Sequence, residues 1–108
     1  MSGRKSPTQI KAERDRAAAI EKANIDDVRE LMKIPAFRRY VRRMLDLTSV
    51  FRTTFTGTSE TFFKEGQRSV GTTIFGEVMD ADADKYLVMM REKTNADRFP
   101  PVVAEDDD

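Results

Sequence analysis

The chain of 108 residues contains no cysteine, histidine or tryptophan. Without Cys and His, a thiolate or imidazole metal site, a Cys nucleophile and a His general base are all excluded. Acidic and basic residues balance at 19 each, so the formal net charge is zero. Carboxylates, Lys, Tyr and Ser remain for chemistry, and no arrangement of them is persuasive. We therefore predict a binding or structural protein that is not an enzyme and needs no cofactor.

Long hydrophobic runs are also missing. No stretch approaches the roughly 20 apolar residues that a membrane-spanning helix needs. The segment Met1–Ser6 does not have the apolar core of a secretory signal. We expect a protein made and kept in the cytosol, which the lack of cysteine fits.

The large apolar residues are concentrated between Ile25 and Met90. This distribution predicts a helical domain at 25–94, a polar and partly helical N-terminal arm at 1–24, and an extended acidic tail at 95–108. A unit this small buries only about 60% of the surface of its unfolded chain. We therefore expect it to be reinforced by a partner or by further copies of itself.

In the first half of the chain, residues typical of helix starts and ends predict where the helices begin and stop. Ser6 followed by Pro7 is typical of a helix start and predicts a helix over about 9–23. Asn24, with acidic residues after it, predicts a fresh N-cap and a second helix. Pro35 should end that helix and open the next one, because an amide in the first helical turn has no partner to lose.

The helix after Pro35 is amphipathic. Its apolar and its basic residues fall on separate arcs of a helical wheel. The apolar arc contains Phe37, Tyr40, Val41, Met44, Leu45, Leu47 and Thr48, and the basic arc contains Arg38, Arg39, Arg42 and Arg43.

The segment 50–57 leaves helix, loop and strand open. Its aromatic residues alternate as in a strand but also continue the helical stripe. A helix that runs toward Phe55, with a turn at Gly57, is favoured because a single strand has nothing to pair with.

The second half of the chain predicts two more helices. Thr58 or Ser59 should cap a long helix that ends near Met79. The acidic series Asp80, Asp82 and Asp84 should then cap a last helix. This gives an all-α bundle of about four helices beside the arm.

Three glycines, Gly66, Gly71 and Gly76, lie inside the long predicted helix. Each costs about 1 kcal/mol relative to Ala in a helix interior. We expect close helix crossings to compensate for this cost.

Two segments resemble ligand-binding motifs but lack residues that those motifs require. The spacing of Gly66 and Gly71 resembles a phosphate-binding loop, but Thr72 stands where the motif needs Lys and the segment lies within a helical pattern. The series that begins at Asp80 resembles a calcium loop, but Lys85 and Arg91 stand where a Gly and a bidentate Glu are required.

The basic arc is a candidate partner-binding face. Arginine guanidinium groups bind phosphate or carboxylate in pairs of hydrogen bonds. Residues 1–43 hold 12 basic and 6 acidic side chains, a net of +6, and residues 44–108 hold 7 and 13, a net of −6. Such halves favour a solvated or self-complementary face over an acidic protein partner or nucleic acid, since nucleic-acid domains are usually basic overall.

An apolar face is the second candidate. Phe75 and Met79 lie one turn apart, away from the main apolar arc of their helix. Together with Met89 they predict more exposed hydrophobic surface than so small a domain should carry without a partner.

The run from Val50 to Gly71, with Phe-Thr-Gly-Thr-Ser-Glu-Thr-Phe-Phe-Lys-Glu-Gly at its centre, resembles a family of small proteins of short-tailed bacteriophages. The resemblance extends more weakly over Val28–Glu92 and leaves out both arms. The genes of that family lie among head, portal and internal-virion genes. The resemblance implies a virion or assembly role without catalytic residues.

The sequence therefore predicts a structural component of a short-tailed phage particle, internal or near the portal. Its expected partners are other virion proteins, portal or internal, and further copies of itself. One alternative is a phage-encoded nucleic-acid-binding or regulatory protein that uses the basic arc. A second is an assembly factor that the mature particle lacks. In each case the protein would be made in the cytoplasm of the bacterial host.

Overall fold

The computed structural model describes residues 3–48 and 60–103, and these are helical apart from short connections. Helix α1 spans Pro7–Met32, α2 spans Pro35–Leu47, α3 spans Glu60–Arg91, and α4 is the single turn Asn95–Arg98. The all-α prediction is confirmed for this part of the chain, which contains no strand. The interpretation of residues 50–57 lies outside the described residues.

Helix α1 begins where Ser6 and Pro7 predict it. The Ser6 hydroxyl accepts a hydrogen bond from the Gln9 amide at 3.2 Å, and the Gln9 side chain accepts one from the Ser6 amide at 2.8 Å. This reciprocal pair is a capping box, which satisfies two amides that the first helical turn leaves without partners.

The predicted break at Asn24 is wrong, because α1 continues through it to Met32. The residues around Asn24 include no Gly or Pro, and each costs the helix only tenths of a kcal/mol. The ion pair from Lys22 to Asp26, at 2.9 Å, also spans the position, and Arg29 binds the same Asp26 carboxylate group at 2.9 Å. The expected arm and the first helix of the expected bundle are therefore one helix.

Pro35 separates α1 from α2 as predicted. Ile34 has extended backbone angles, φ −94° and ψ 118°. The proline ring excludes the residue before it from the helical region, so the chain turns between Met32 and Pro35.

Helix α3 contains a kink at Asp82, where the backbone is extended at φ −166° and ψ 88°. The Asp82 carboxylate accepts a hydrogen bond from the Lys85 amide at 3.0 Å, which is the geometry of an N-cap. The predicted acidic cap between two helical segments is confirmed, with Asp82 as the capping residue.

The predicted extended tail is wrong at its start. Thr94 and Asp97 form a second capping box, with hydrogen bonds of 2.9 and 3.1 Å, around the single turn α4. The signal is the spacing of Thr94 and Asp97, which matches the capping-box pattern.

The core is small and lies where the C-terminal part of α1 meets α2 and α3. Its buried side chains are contributed by all three helices, and half-buried apolar residues surround them. Buried are Met32, Val41, Leu45, Val78 and Met89, and packed against them are Val28, Phe37, Ile74, Phe75 and Tyr86. Residues 3–24 are exposed throughout, so the N-terminal part of α1 projects from this core.

Two of the helix glycines do not serve close crossings. Apart from its own helical turn, a Cβ atom built on Gly66 or on Gly76 would meet no heavy atom of the described residues within 4 Å. The expected compensation through backbone approach is therefore wrong at these two positions, whereas Gly71 is buried.

Candidate functional site

The predicted basic arc of α2 is divided between the interior and the surface. Arg38 is only 6% exposed. Its guanidinium donates to both carboxylate oxygens of Glu92, at 2.6 and 2.8 Å, and to the carbonyl of Met32 at 2.7 Å. Arg38 therefore links Met32, the last residue of α1, to Glu92, the residue that follows α3. The prediction that Arg38 binds a partner protein is wrong, because its guanidinium is buried and engaged within the chain.

Arg42 binds the end of α3 in a similar way. Its Nη1 donates to the carbonyl oxygens of Glu92 at 2.9 Å and of Met89 at 3.3 Å. The last carbonyls of a helix have no partner within the helix and carry its partial negative charge. Two of the four arginines are thus positioned by helix ends within the same chain.

The charge pair between Arg38 of α2 and Glu92, directly after α3, is partly shielded from water. The hydrogen bond from Arg38 lowers the pKa of the Glu92 carboxyl below its ordinary value of 4.5, although partial burial acts in the opposite direction. The same hydrogen bond raises the pKa of Arg38. Both groups therefore stay charged at neutral pH.

Arg39 and Arg43 remain on the surface side of α2. The Arg43 guanidinium lies 5.5 Å from the centre of the Tyr40 ring, a cation–π distance. Both arginines line an open cavity of about 200 Å³ together with Asp46, Thr94, Asn95 and Ala96. The partner-binding role of Arg39 and Arg43 stays a prediction.

The residues of the predicted apolar face are also divided between the interior and the surface. Met89 is 1% exposed and belongs to the core, so its prediction as a docking residue is wrong. Phe75 is half-buried and packs edge-on against Tyr86, with ring centres 5.3 Å apart. Met79, 37% exposed, is at the surface as expected.

The structure contains another apolar surface, which differs from the predicted face of Phe75, Met79 and Met89. A groove of about 370 Å³ lies between α1, α2 and the first part of α3, and Glu77 is its one acidic lining residue among those described. We call this feature the apolar groove. It is lined by Val28, Phe37, Tyr40, Val41, Met44, Thr48, Val70, Ile74, Glu77 and Val78.

Further apolar side chains lie on the same helix as one wall of the groove. Phe62 is 81% and Phe63 is 68% exposed, near the start of α3, and Val70 of the groove wall is more than half exposed. Exposed aromatic residues at this density are typical of a surface that another protein covers.

Sequence reasoning missed the contact that holds the α3 kink. The Nε of Arg29 donates to the Ala81 carbonyl at 2.9 Å. That oxygen would accept from the Lys85 amide in an unbroken helix, and the amide binds Asp82 instead. The Asp82 cap was visible in the sequence, but the arginine that serves the released carbonyl was not.

The model of the Bbp19-like phage protein family matches residues 28–91, more than half of the chain. The chain belongs to the Bbp19-like phage protein family. The matched region contains the whole core and the whole lining of the apolar groove, and it begins after the exposed part of α1. Neither a curated protein nor a solved structure matches the chain.

The phage assignment confirms the coarser part of the resemblance seen in the sequence. Within this family member, the helices formed by residues 3–48 and 60–103 do not combine the length and apolar character that crossing a membrane requires.

Proposed function

We propose that this Bbp19-like protein is a structural component of a short-tailed phage particle. In this proposal it lies inside the virion or near the portal and acts by packing its helices against other virion proteins and further copies of itself. It acts through shape and surface chemistry and catalyses no reaction. The observation that carries the proposal is the exposed aromatic surface of α3, where Phe62 and Phe63 are largely solvent-accessible.

The dimensions of the chain support the same proposal. Its radius of gyration is 20.7 Å and its principal extents are 87 × 40 × 18 Å. A compact chain of about 100 residues has a radius of gyration near 13 Å. An elongated chain with a small core leaves much of its surface for contacts with neighbours.

Mass spectrometry of purified particles tests the proposal. We expect the protein to be present in mature virions, in more copies per particle than any contaminating host protein. Its presence in precursor particles and absence from mature ones would favour the assembly factor. Its absence from both would contradict a structural role.

A nucleic-acid-binding or regulatory protein is the second candidate, favoured only by the cavity that Arg39 and Arg43 line. Arg38 and Arg42 are engaged by helix ends, so this role has two surface arginines on α2 and not four. Duplex binding over a salt series tests it, because phosphate contacts weaken steeply with salt. The informative variant is Arg39→Glu with Arg43→Glu, since changing Arg42 would disturb the end of α3.

A further inference from the structure

Two arginines of α2 have no carboxylate partner among the described residues. Arg38 and Arg42 donate to the carboxylate or the carbonyl of Glu92. Arg39, which is half-buried, and Arg43, which is exposed, form no hydrogen bond or ion pair with any other described residue. Arginine binds carboxylates through charge-assisted hydrogen bonds. These two guanidinium groups are therefore available to carboxylates of another molecule.

The two arginines belong to a row along α2 that ends in an apolar residue. Arg39, Arg43 and Leu47 are four residues apart, so they share one side of the helix at intervals of about 6 Å. Leu47 is 65% exposed. Asp46 is the acidic residue among the described lining of the adjoining cavity. We call Arg39, Arg43 and Leu47 the basic row.

The chain after α4 has a complementary pattern. Phe99 and Pro100 each precede a proline, which excludes the helical region of the backbone and favours an extended segment. In an extended peptide, alternate side chains lie on one side about 6.6 Å apart. The alternate residues here are Val103, Glu105 and Asp107. Their order, one apolar and two acidic, matches the basic row read from its apolar end, and the two spacings differ by less than about 1 Å.

The net charges agree when the whole of each surface is counted. The two segments that form the cavity, residues 35–48 and 92–98, hold six basic and three acidic side chains, a net of +3. Residues 99–108 hold four acidic side chains and no basic one, a net of −4. Complementary charge of this kind selects partner and orientation. Two cations on a short row are few for a nucleic acid, whose binding depends on many phosphate contacts.

The tail does not lie on the basic row of its own chain. Val103 is 86% exposed and Leu47 is 65% exposed, so these two side chains are not packed against each other. A return toward the row would require a sharp reversal of the chain. Residues 99–104 contain no Gly, Asn or Asp to form a tight turn, and the two prolines favour an extended chain. The basic row is therefore open to the tail of another molecule.

We propose that residues 103–107 of one copy bind along the basic row of a second copy. Each copy then offers one row and one tail, so the contact is head-to-tail and extends over several copies. Exposed ion pairs are individually weak, and repetition over many copies strengthens them. The inference deepens the proposed function, since it rests on that function for the setting in which copies meet. The pairs, with the tail residue first, are Val103 with Leu47, Glu105 with Arg43 and Asp107 with Arg39.

The solution mass of the full-length protein over a concentration series, measured by sedimentation equilibrium, tests the proposal. We expect reversible self-association that weakens as salt is added, because the ion pairs are exposed to solvent. Arg39→Glu with Arg43→Glu should weaken association at least tenfold. Arg14→Glu with Arg16→Glu reverses the same charge on the exposed part of α1 and should change association by less than about twofold.

The tail supplies a matched control for the register. Glu105→Gln with Asp107→Asn should weaken association several-fold. Asp106→Asn with Asp108→Asn removes the same charge from the opposite side of the same extended tail and should weaken association by less than about twofold. Equal effects of the two pairs would contradict the proposed pairing.

A charge exchange tests the ion pairs themselves. Arg39→Glu and Arg43→Glu, combined in one chain with Glu105→Arg and Asp107→Arg, should restore association. Circular dichroism checks that each variant keeps its helices.

A strictly monomeric chain at high concentration, or no restoration in the exchanged chain, would overturn the proposal. Duplex binding by a monomer, lost in Arg39→Glu with Arg43→Glu, would also overturn it and assign the basic row to nucleic acid. A monomer that mass spectrometry finds in mature particles would leave the structural role intact. The two proposals therefore fail separately.

Discussion

Arg38 and Arg39 are neighbours in sequence and have opposite environments. Arg38 is enclosed by Glu92 and the Met32 carbonyl, whereas Arg39 lines an open cavity. A helical wheel places both on one basic arc, because it shows the direction of a side chain and not what lies there. The ends of neighbouring helices are polar partners that no periodicity reveals, so the structural roles of Arg38 and Arg42 were not predictable.

Removing the Arg38 side chain should destabilise the fold. Arg38→Ala leaves the half-buried Glu92 carboxylate and the Met32 carbonyl without their donor, and we expect a loss of about 3 kcal/mol in the free energy of unfolding. Arg39→Ala keeps the hydrogen bonds from Arg38 and removes only a longer-range attraction to Glu92, so it should change the free energy of unfolding by less than about 1 kcal/mol. Urea denaturation followed by circular dichroism measures both. Equal effects would contradict the assigned role of Arg38.

The same ion pair predicts a pH dependence. Because the pKa of Glu92 is lower in the folded chain than in the unfolded chain, its contribution is complete above about pH 4.5 and is lost as the pH falls through the lowered value. The difference in unfolding free energy between the natural chain and Glu92→Gln should therefore be large at pH 7 and shrink toward pH 3. Glu21→Gln, an exposed change on the arm, should show no such trend.

At the scale of the element, the sequence correctly predicted the places where helices break, but it did not predict that α1 continues without a break. Pro35 and the Asp80–Asp84 series act through local backbone chemistry, so their effects were predictable. The unbroken α1 was not, because a possible N-cap such as Asn24 is used only when the helix gains by stopping there. The ion pairs that Asp26 forms with Lys22 and Arg29 instead favour continuation of the helix.

The kink in α3 should depend on its capping carboxylate. Asp82→Ala removes the acceptor for the Lys85 amide, and we expect a loss of about 1 kcal/mol in the free energy of unfolding. Asp82→Asn keeps an acceptor oxygen and should recover most of it. Thermal unfolding at neutral pH distinguishes the two, and equal losses would argue against capping by this side chain.

The N-terminal arm, residues 1–24, should be thermodynamically separate from the core in the isolated monomer. A chain that begins at Ile25 should lose helical ellipticity in proportion to the missing residues. Its unfolding free energy at low protein concentration should match that of the full chain, since residues 3–24 are exposed throughout. A marked loss of stability would show that the arm supports the core.

At the scale of the whole molecule, composition predicted one small domain, helix periodicity and capping residues predicted its all-α class, and the family assignment places it among phage proteins. The location of that surface was not predictable from the sequence. Met89 was expected at the surface and is buried, while the groove that begins at Val28 needs three helices to form. Surfaces built from several elements require the tertiary arrangement.

The proposed structural role requires that the exposed helical surfaces of this protein are covered in the phage particle. Amide hydrogen exchange, compared between the isolated chain and purified particles, measures this coverage directly. We expect residues 7–24 and the start of α3 around Phe62 to exchange rapidly in isolation and at least tenfold more slowly in the particle. Equal exchange in both states would contradict the account.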